Sequence, residues 1–420
     1  EKQIARSVRT YNYAQELAGE FCIEIVSNTQ NDNLNDLKSI IEDEIEKLII
    51  NPPNQQEVNR AINRIKSDHI SQLEHIGGFG GRADQLNHYN IFTNNPNTIN
   101  TDLQRYTSVE PKDIQATTKS TIGDNRVVMK VLPKPKLGSK NVTTDRSKMP
   151  DPKNFSRFAP AIPERINISG NTNMLFLSKS GIPLTSVSII FKGGSNQDPH
   201  STPGLNHITS KLVTEGTTNK SSEEIHGQLE FIASTLNTTT YHEHTAVYTQ
   251  SLNENFLTTQ SLLSDILANA NFPKLELDRV KKQELTDIQR ISDDPVAISR
   301  IASRAIIYNQ NYPLSHPIRG TESSLQQIDQ KSIGNQYDKT YLPENSTILV
   351  VTGKPKSEVT DEIQESLSDW LNKKPNAADE IQTTNPDPIV HHGPSIYILD
   401  KPNSPQSVIR AGMLTIKRTD

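Results

Sequence analysis

The chain alternates between segments of helical and strand periodicity, which predicts a protein of mixed α and β structure. Apolar residues recur at helical spacing over 34–48. Asn54 followed three positions later by Glu57 has the form of a capping box. It predicts the start of a second helix, whose apolar stripe runs over 58–73. The first part of the chain is therefore expected to be largely helical.

Runs of apolar and β-branched residues predict strands between the helices. The predicted strands are 20–23, 126–132, 173–177, 186–191, 241–252, 346–353 and, near the end, 395–399. The predicted helices that accompany the later strands are 221–236, 256–270, 275–291 and 297–308. Strands mixed with pairs of long helices indicate an α+β fold, in which helices pack on one face of a mixed sheet.

Two segments without apolar periodicity divide the chain. Residues 135–161 are rich in Pro, Lys, Asp and Ser, and 374–394 contain several prolines, so both are predicted to be linkers. They leave predicted domains at 1–134, 162–373 and 395–420. Because the sequence begins without Met and stops after a strand-like run, we expect it to be an internal piece of a longer protein.

Composition narrows the function classes. The net charge is −5 and no block of one sign is long, which argues against a chain that binds nucleic acid through a basic stripe. No apolar run approaches the length of a membrane span. Cys22 is the only cysteine, so a disulfide framework and a thiolate zinc site are both excluded.

The most specific pattern in the chain is the segment 203–217, which reads PGLNHITSKLVTEGT. It resembles the metal-binding helix of the insulinase/pitrilysin family of zinc peptidases, whose signature is H-x-x-E-H. In that signature two His residues one helical turn apart bind zinc, and the Glu activates a water molecule. Here His207 is retained, Ser210 stands at the Glu position and Lys211 at the second His position. An ammonium group has no lone pair for zinc and a hydroxyl is no base at neutral pH, so this site is predicted to be inactive.

The resemblance extends over nearly the whole chain. The family repeats an α/β lobe made of two similar halves, which implies repeated two-layer halves here. Residues 1–134 then resemble the second half of an upstream lobe, and 162–373 the first half of the next one. Residues 395–420 resemble the beginning of its second half. The segment 311–321, NYPLSHPIRGT, resembles a Pro-rich segment ending in Gly-Thr at the same place in the family.

The resemblance also indicates where a third zinc ligand would lie. In the family this ligand is a Glu on a later helix, and Asp287 stands at the corresponding position of this chain. Three interpretations stay open for His207, Ser210, Lys211 and Asp287. They are a packed histidine with a solvated carboxylate, an ion pair that replaces the metal, and true zinc binding. In the second, the Lys211 ammonium reaches Asp287 or, one turn earlier, Glu284.

Four further residues are possible peptide contacts. On a strand, His242 and His244 would point to the same face, but no third metal ligand is evident, and the corresponding family strand runs beside the active-site cleft. Arg82 and Tyr89 follow the glycine-rich run 77–81, which lacks the Lys-Ser/Thr ending of a phosphate-binding loop. Related peptidases use an Arg and a Tyr on the lobe that faces the zinc.

The resemblance implies a function for the longer protein. It would be a two-lobed zinc metalloendopeptidase that hydrolyses peptide bonds, with the zinc held by an intact motif outside this chain. This chain would supply the non-catalytic lobe that closes the peptide-binding chamber, and its partners would be a peptide or protein substrate and the missing catalytic half-lobe. The alternative is a catalytically silent structural or peptide-binding member of the family. The resemblance suggests a bacterial periplasmic location.

Overall fold

The computed structural model describes residues 5–15, 17–27, 34–122, 126–131, 160–179, 181, 183–308, 312–374, 393, 395–402 and 407–415. The chain divides into two compact units, 1–136 and 137–420. The linkers predicted at 135–161 and 374–394 lie almost entirely outside the described residues.

The described residues of the first unit form one antiparallel hairpin and five α-helices. Its elements are β1 (Ala5–Ala14), β2 (Gly19–Ser27), α1 (Leu34–Ile50), α2 (Gln55–Gln72), α3 (Arg82–Thr93), α4 (Asp102–Thr107) and α5 (Pro111–Thr121). The capping box predicted at Asn54 and Glu57 begins α2, with both reciprocal hydrogen bonds formed. Cys22 lies on β2 as predicted, and its side chain is half-buried.

The second unit is built on a six-stranded mixed sheet. Its strands are β3 (Glu164–Ser169), β4 (Thr172–Ser178), β5 (Leu184–Lys192), β6 (Thr235–Thr240), β7 (His244–Leu252) and β8 (Ser346–Thr352). Their order across the sheet is β3-β4-β8-β5-β7-β6. Among the strand pairs of the described residues only β4–β8 is parallel, so the sheet is mixed as predicted.

Helices cover one face of this sheet and form the core with it. Along β4, β5 and β8, buried residues alternate with partly exposed ones, which is the pattern of a sheet covered on one face. The helices are α6 (Leu205–Leu212), α7 (Ser222–Phe231), α8 (Phe256–Asn269), α9 (Lys274–Ile291), α10 (Pro295–Tyr308), α11 (Glu322–Gln327), α12 (Gln330–Thr340), α13 (Lys356–Ser366) and α14 (Ser368–Leu371). The predicted α+β class is confirmed. None of the helices in the described part of the chain combines the length and apolar character needed to cross a membrane.

Three predicted elements are absent or end early. The described residues of the predicted strands 126–132 and 395–399 form no strand. The helix predicted over 221–236 ends at Phe231, because the chain turns at Ala233, whose φ of 49° is left-handed, and continues as β6. Three successive threonines in β6 favour a strand over a helix.

Candidate functional site: a degenerate metal helix

The helix α6 carries the degenerate motif and is anchored at its beginning by a carboxylate. Asp198 accepts hydrogen bonds from the backbone N–H groups of Gly204 and Asn206, at 2.7 and 2.8 Å. It also accepts one from the Asn206 side chain at 3.0 Å. These are the donors that a helix N-terminus leaves unpaired, so Asp198 stabilises the start of α6 and fixes its position.

Two glycines bring a second backbone segment against the start of α6. Gly204 has φ of +95°, and a Cβ there would lie 2.7 Å from the Arg319 carbonyl oxygen. Gly320 has φ of +78°, and a Cβ there would lie 2.2 Å from the Pro203 carbonyl oxygen. Both positions therefore require glycine for backbone conformation and for space. This contact places Arg319 beside the motif helix.

His207 of α6 faces Glu284 of α9. The His207 Nε2 and Glu284 Oε2 atoms are 2.9 Å apart, and both side chains are almost fully buried, with 10% and 6% of their surface exposed. The distance is that of an ion pair, but Nε2 lacks a hydrogen-bond partner of good geometry in the described structure. The imidazole ring is therefore not oriented for a good hydrogen bond to the Glu284 carboxylate, although the two atoms are close together.

The cation at this carboxylate comes from Arg319. Its Nη1 atom lies 2.5 Å from Glu284 Oε2 and 3.1 Å from Asp287 Oδ2. Burial alone would raise the pKa of Glu284, but His207 and Arg319 outweigh it, so that pKa lies below its usual value. We call His207, Glu284, Asp287 and Arg319 the Arg319 cluster.

The predicted ion pair of Lys211 is wrong. The Lys211 side chain is exposed, and within the described residues no ion pair joins it to Asp287 or Glu284. Among the groups that lower the pKa of Glu284, Lys211 contributes least. Arg319 takes the role because its backbone is held against α6, and its longer side chain reaches between the two carboxylates.

Ser210, which the motif resemblance aligns with the catalytic Glu, is a packing residue. It is fully buried. Its Oγ donates to the His207 carbonyl oxygen at 2.9 Å and accepts from Thr240 Oγ1 at 3.0 Å. Thr238 Oγ1 donates to the Ser210 carbonyl oxygen at 2.6 Å. Ser210 therefore attaches α6 to β6, and its hydroxyl is committed to those contacts.

The residues of this site do not fit a zinc ion. A catalytic zinc site offers three protein ligands and an open position. Here His207 and Glu284 converge. The remaining motif position holds the ammonium group of Lys211, and the Arg319 guanidinium is bonded to the Glu284 carboxylate. In the described parts of the chain, no group of three His, Cys, Asp or Glu residues is arranged to hold a metal ion.

The structure separates His242 from His244. His242 lies in the turn between β6 and β7, not on a strand as predicted, while His244 begins β7 and stacks on Tyr241. The Nδ1 atom of His242 lies 2.9 Å from Ser195 Oγ. Burial, together with the charge of Arg304, lowers the pKa of His242 to about 4, so this imidazole is neutral at neutral pH. A peptide-contact role for His242 and His244 stays a prediction.

Arg82 and Tyr89 use their polar atoms within the first unit. Arg82 donates from Nε and Nη2 to the Leu73 carbonyl oxygen at the end of α2, at 3.2 and 2.9 Å. Tyr89 donates to Asp102 at 2.9 Å, and burial raises the pKa of its hydroxyl to about 12. Both contacts stabilise local structure, and the predicted peptide contacts of these two residues stay predictions.

The strand β6 forms the edge of the sheet next to the motif helix. It pairs with β7, and no other strand in the described part of the chain pairs with it. Tyr241 N donates to His244 O across the turn, so alternate residues of β6 bond to β7. By this alternation the backbone N–H and C=O of Thr238 face the free edge. The edge can therefore accept a further strand.

Sequence reasoning missed the role of Arg319, and it placed the third ligand position at Asp287, which stays a prediction. Glu284, not Asp287, is the carboxylate that meets His207. The amphipathic spacing of α9 could have indicated this, because Glu284 shares the buried stripe of Leu277 and Val280. No local pattern around Arg319 predicts its contact with α9, since that contact depends on the close approach at two glycines.

Comparisons with known proteins agree with the motif. Residues 174–322 match the family model described as insulinase, peptidase family M16. A protein of Rickettsia felis, named an uncharacterized zinc protease, is 26% identical over 190 residues, which are 44% of this chain and 46% of that protein. A probable mitochondrial-processing peptidase subunit beta of Arabidopsis thaliana is 24% identical over 202 residues, or 48% and 37% of the two chains. The chain thus spans less than half the length of these two curated relatives.

Among solved structures, an inactive peptidase M16 domain of Pseudomonas fluorescens is similar, with a TM-score of 0.48 and 20% identity. The match covers 52% of this chain and 53% of that one. The matched family segment contains both the motif helix α6 and Glu284 of α9. Residues 174–322 are therefore similar to the insulinase family of peptidases, and they contain an altered form of its metal motif.

Proposed function

We propose that this chain is a non-catalytic, peptide-binding part of an insulinase-family protein. The observation that carries the proposal is the replacement of the catalytic groups around His207. The position of the base holds a buried serine committed to two packing contacts, and the second ligand position holds an exposed lysine. The surviving carboxylate is bonded to Arg319. The site therefore lacks both the base and the ligand set that peptide hydrolysis needs.

The longer protein is, in this proposal, a two-lobed zinc metalloendopeptidase of the bacterial periplasm. Its zinc is bound by an intact H-x-x-E-H motif outside this chain, and this chain closes the chamber in which a peptide is held. The match to the family model and the names of the relatives support a peptidase relationship. Zinc is accordingly proposed for the longer protein and not for the Arg319 cluster.

The free edge of β6 is the proposed peptide-binding element. An extended peptide can add to such an edge through backbone hydrogen bonds, with side-chain contacts giving selectivity. The exposed residues of β6 are Thr235, Asn237 and Thr239, so the edge carries no charge that would repel a strand. Four of its six residues are β-branched threonines, which favour strand pairing.

Binding of fluorescently labelled, unstructured peptides tests the proposal. Thr238→Pro removes one edge-facing N–H group while leaving the β6–β7 hydrogen bonds in place. Loss of one hydrogen bond is expected to weaken binding about three- to tenfold. Thr238→Val is the matched control, because it loses only the hydroxyl contact to Ser210 and keeps the N–H group. Equal affinities of the Pro and Val variants, or no peptide binding by the wild type, would contradict the proposal.

Cleavage distinguishes the two candidates for the longer protein. The chain described here is expected to leave the same peptides intact in the presence of added zinc. A longer protein containing this chain is expected to cleave them and to lose that activity with a chelator. If the longer protein binds peptides without cleaving them, the second candidate, a catalytically silent peptide-binding member of the family, replaces the first.

A further inference from the structure

We propose that Arg319 is the cation that has replaced the metal in this domain, and that its charge now keeps metal ions out of a site that retains two converging ligands. This inference concerns the cation alone and does not depend on peptide binding. It rests on three observations: the convergence of His207 and Glu284, the placement of Arg319, and the position of Lys211.

The first observation is that two potential ligands already converge. Zinc–nitrogen and zinc–oxygen bonds of about 2.0–2.2 Å at a tetrahedral angle place two ligand atoms about 3.3 Å apart. The His207 Nε2 and Glu284 Oε2 atoms are 2.9 Å apart. The buried Nε2 atom lacks a hydrogen-bond partner of good geometry. The two atoms are therefore about as close together as two ligands of one metal ion would be.

The second observation is that a positive group reaches this convergence from a separate segment. Arg319 Nη1 lies 2.5 Å from the same Glu284 oxygen that faces His207. The Arg319 backbone cannot move away easily, because Gly204 and Gly320 pack it against the start of α6. A guanidinium held at this carboxylate neutralises the buried charge that a metal would otherwise neutralise. A metal ion and this guanidinium therefore compete for one carboxylate.

The third observation is that the missing ligand position is accessible. Lys211 follows His207 by one helical turn, so the two side chains lie on the same side of α6. The Lys211 side chain is exposed and makes no ion pair with the cluster. Lys211→His is therefore expected to fold normally and to supply a second imidazole. With Arg319 present, this single substitution should still bind metal poorly.

The test is a titration with cobalt(II), whose visible absorption reports tetrahedral binding. The variants are Lys211→His alone and Lys211→His combined with Arg319→Met or with Arg319→Gln. Glutamine keeps an N–H donor for Glu284 but carries no charge. The proposal predicts that both double variants bind cobalt at least about tenfold more tightly than the single variant. His207→Ala in either double variant should abolish that gain.

Each outcome decides the proposal. If the single variant binds cobalt as tightly as the double variants, Arg319 does not exclude metal and the proposal is wrong. If the folded double variants show no gain, the two ligands do not form a latent metal site and the proposal is also wrong. If both Arg319 variants unfold, recovery of folding on adding Glu284→Gln supports Arg319 as the compensating cation, and failure to recover contradicts it.

Discussion

Two polar clusters join the neighbourhood of α6 to α9, and they are built differently. The first is the Arg319 cluster. The second, which we call the Glu215 cluster, consists of Glu215, Ser222, His226 and Arg279. In the Glu215 cluster the anion follows α6 and the cation lies on α9. Arg279 Nη2 is 2.7 Å from Glu215 Oε2, and Ser222 Oγ donates to the same oxygen at 2.6 Å.

The two clusters differ in the segment of the chain that supplies the cation. In the Glu215 cluster the two connected regions supply both the anion and the permanent cation, and Ser222 and His226 of α7 add further contacts to Glu215. In the Arg319 cluster α6 supplies an imidazole and α9 supplies carboxylates. Arg290 of α9 lies 3.5 Å from Asp287, but the cation beside the buried Glu284 carboxylate belongs to neither helix. That cation comes from a third segment, which two glycines hold in place. A cluster that needs an outside cation resembles a metal site in its charge balance.

The largest expected effect is at Arg319. Arg319→Met leaves Glu284 buried without its cation, so the free energy of unfolding should fall by about 2–4 kcal/mol. Urea unfolding of this variant, of Glu284→Gln and of the double variant measures it. The double variant should lose less than the sum of the single losses, because each single change already breaks the pair. Additive losses would show that the two groups do not interact.

Substitution of Arg279 is expected to lower the free energy of unfolding less than substitution of Arg319. Arg279→Met removes one partner of Glu215, whose carboxylate keeps Ser222 and the neighbouring His226. The loss in the free energy of unfolding should be about 1–2 kcal/mol, below that of Arg319→Met. Equal or larger losses at Arg279 would reverse the ranking of the two clusters.

The contribution of the Glu215 cluster should also appear in the pH dependence of the free energy of unfolding. Burial alone would raise the pKa of Glu215, but hydrogen bonds from His226, Ser222 and Arg279 outweigh it and lower that pKa to about 2. A lowered pKa contributes stability above the ordinary Glu value, and this stability is lost as the pH falls from about 5 to about 2. Glu215→Gln should flatten that part of the curve of unfolding free energy against pH. An unchanged acid limb in the variant would contradict the prediction.

Substitution of Lys211 is expected to change the free energy of unfolding least. Its side chain is exposed and outside the Arg319 cluster, so Lys211→Met should change the free energy of unfolding by less than about 0.5 kcal/mol. The same urea series measures it. A loss comparable to that of Arg319→Met would restore the Lys211 ion pair that the sequence predicts.

The sequence predicts the fold well because its signals are local. Helical spacing identifies α1, α8 and α9, and the capping box at Asn54 identifies the start of α2. The strand β6 is missed because its apolar residue Leu236 continues the helical spacing of α7. Only the left-handed turn at Ala233 separates the two elements.

The site is predicted less well because it depends on a contact distant in the sequence. The motif frame identifies His207 and the unsuitable residues at Ser210 and Lys211. The residue that balances Glu284 cannot be deduced from spacing, since Arg319 lies far along the chain and reaches α6 through a close backbone approach. Long-range packing, not periodicity, decides which cation occupies the site.

The metal content of the purified wild-type chain tests whether Arg319 keeps zinc out of the site at His207 and Glu284. The chain is dialysed against zinc and then against metal-free buffer, and zinc is counted by elemental analysis beside the His207→Ala variant. We expect less than stoichiometric zinc and no difference between the two proteins, because Arg319 occupies the carboxylate that a zinc ion would need. One zinc per wild-type chain, removed by a chelator and lost in His207→Ala, would contradict it.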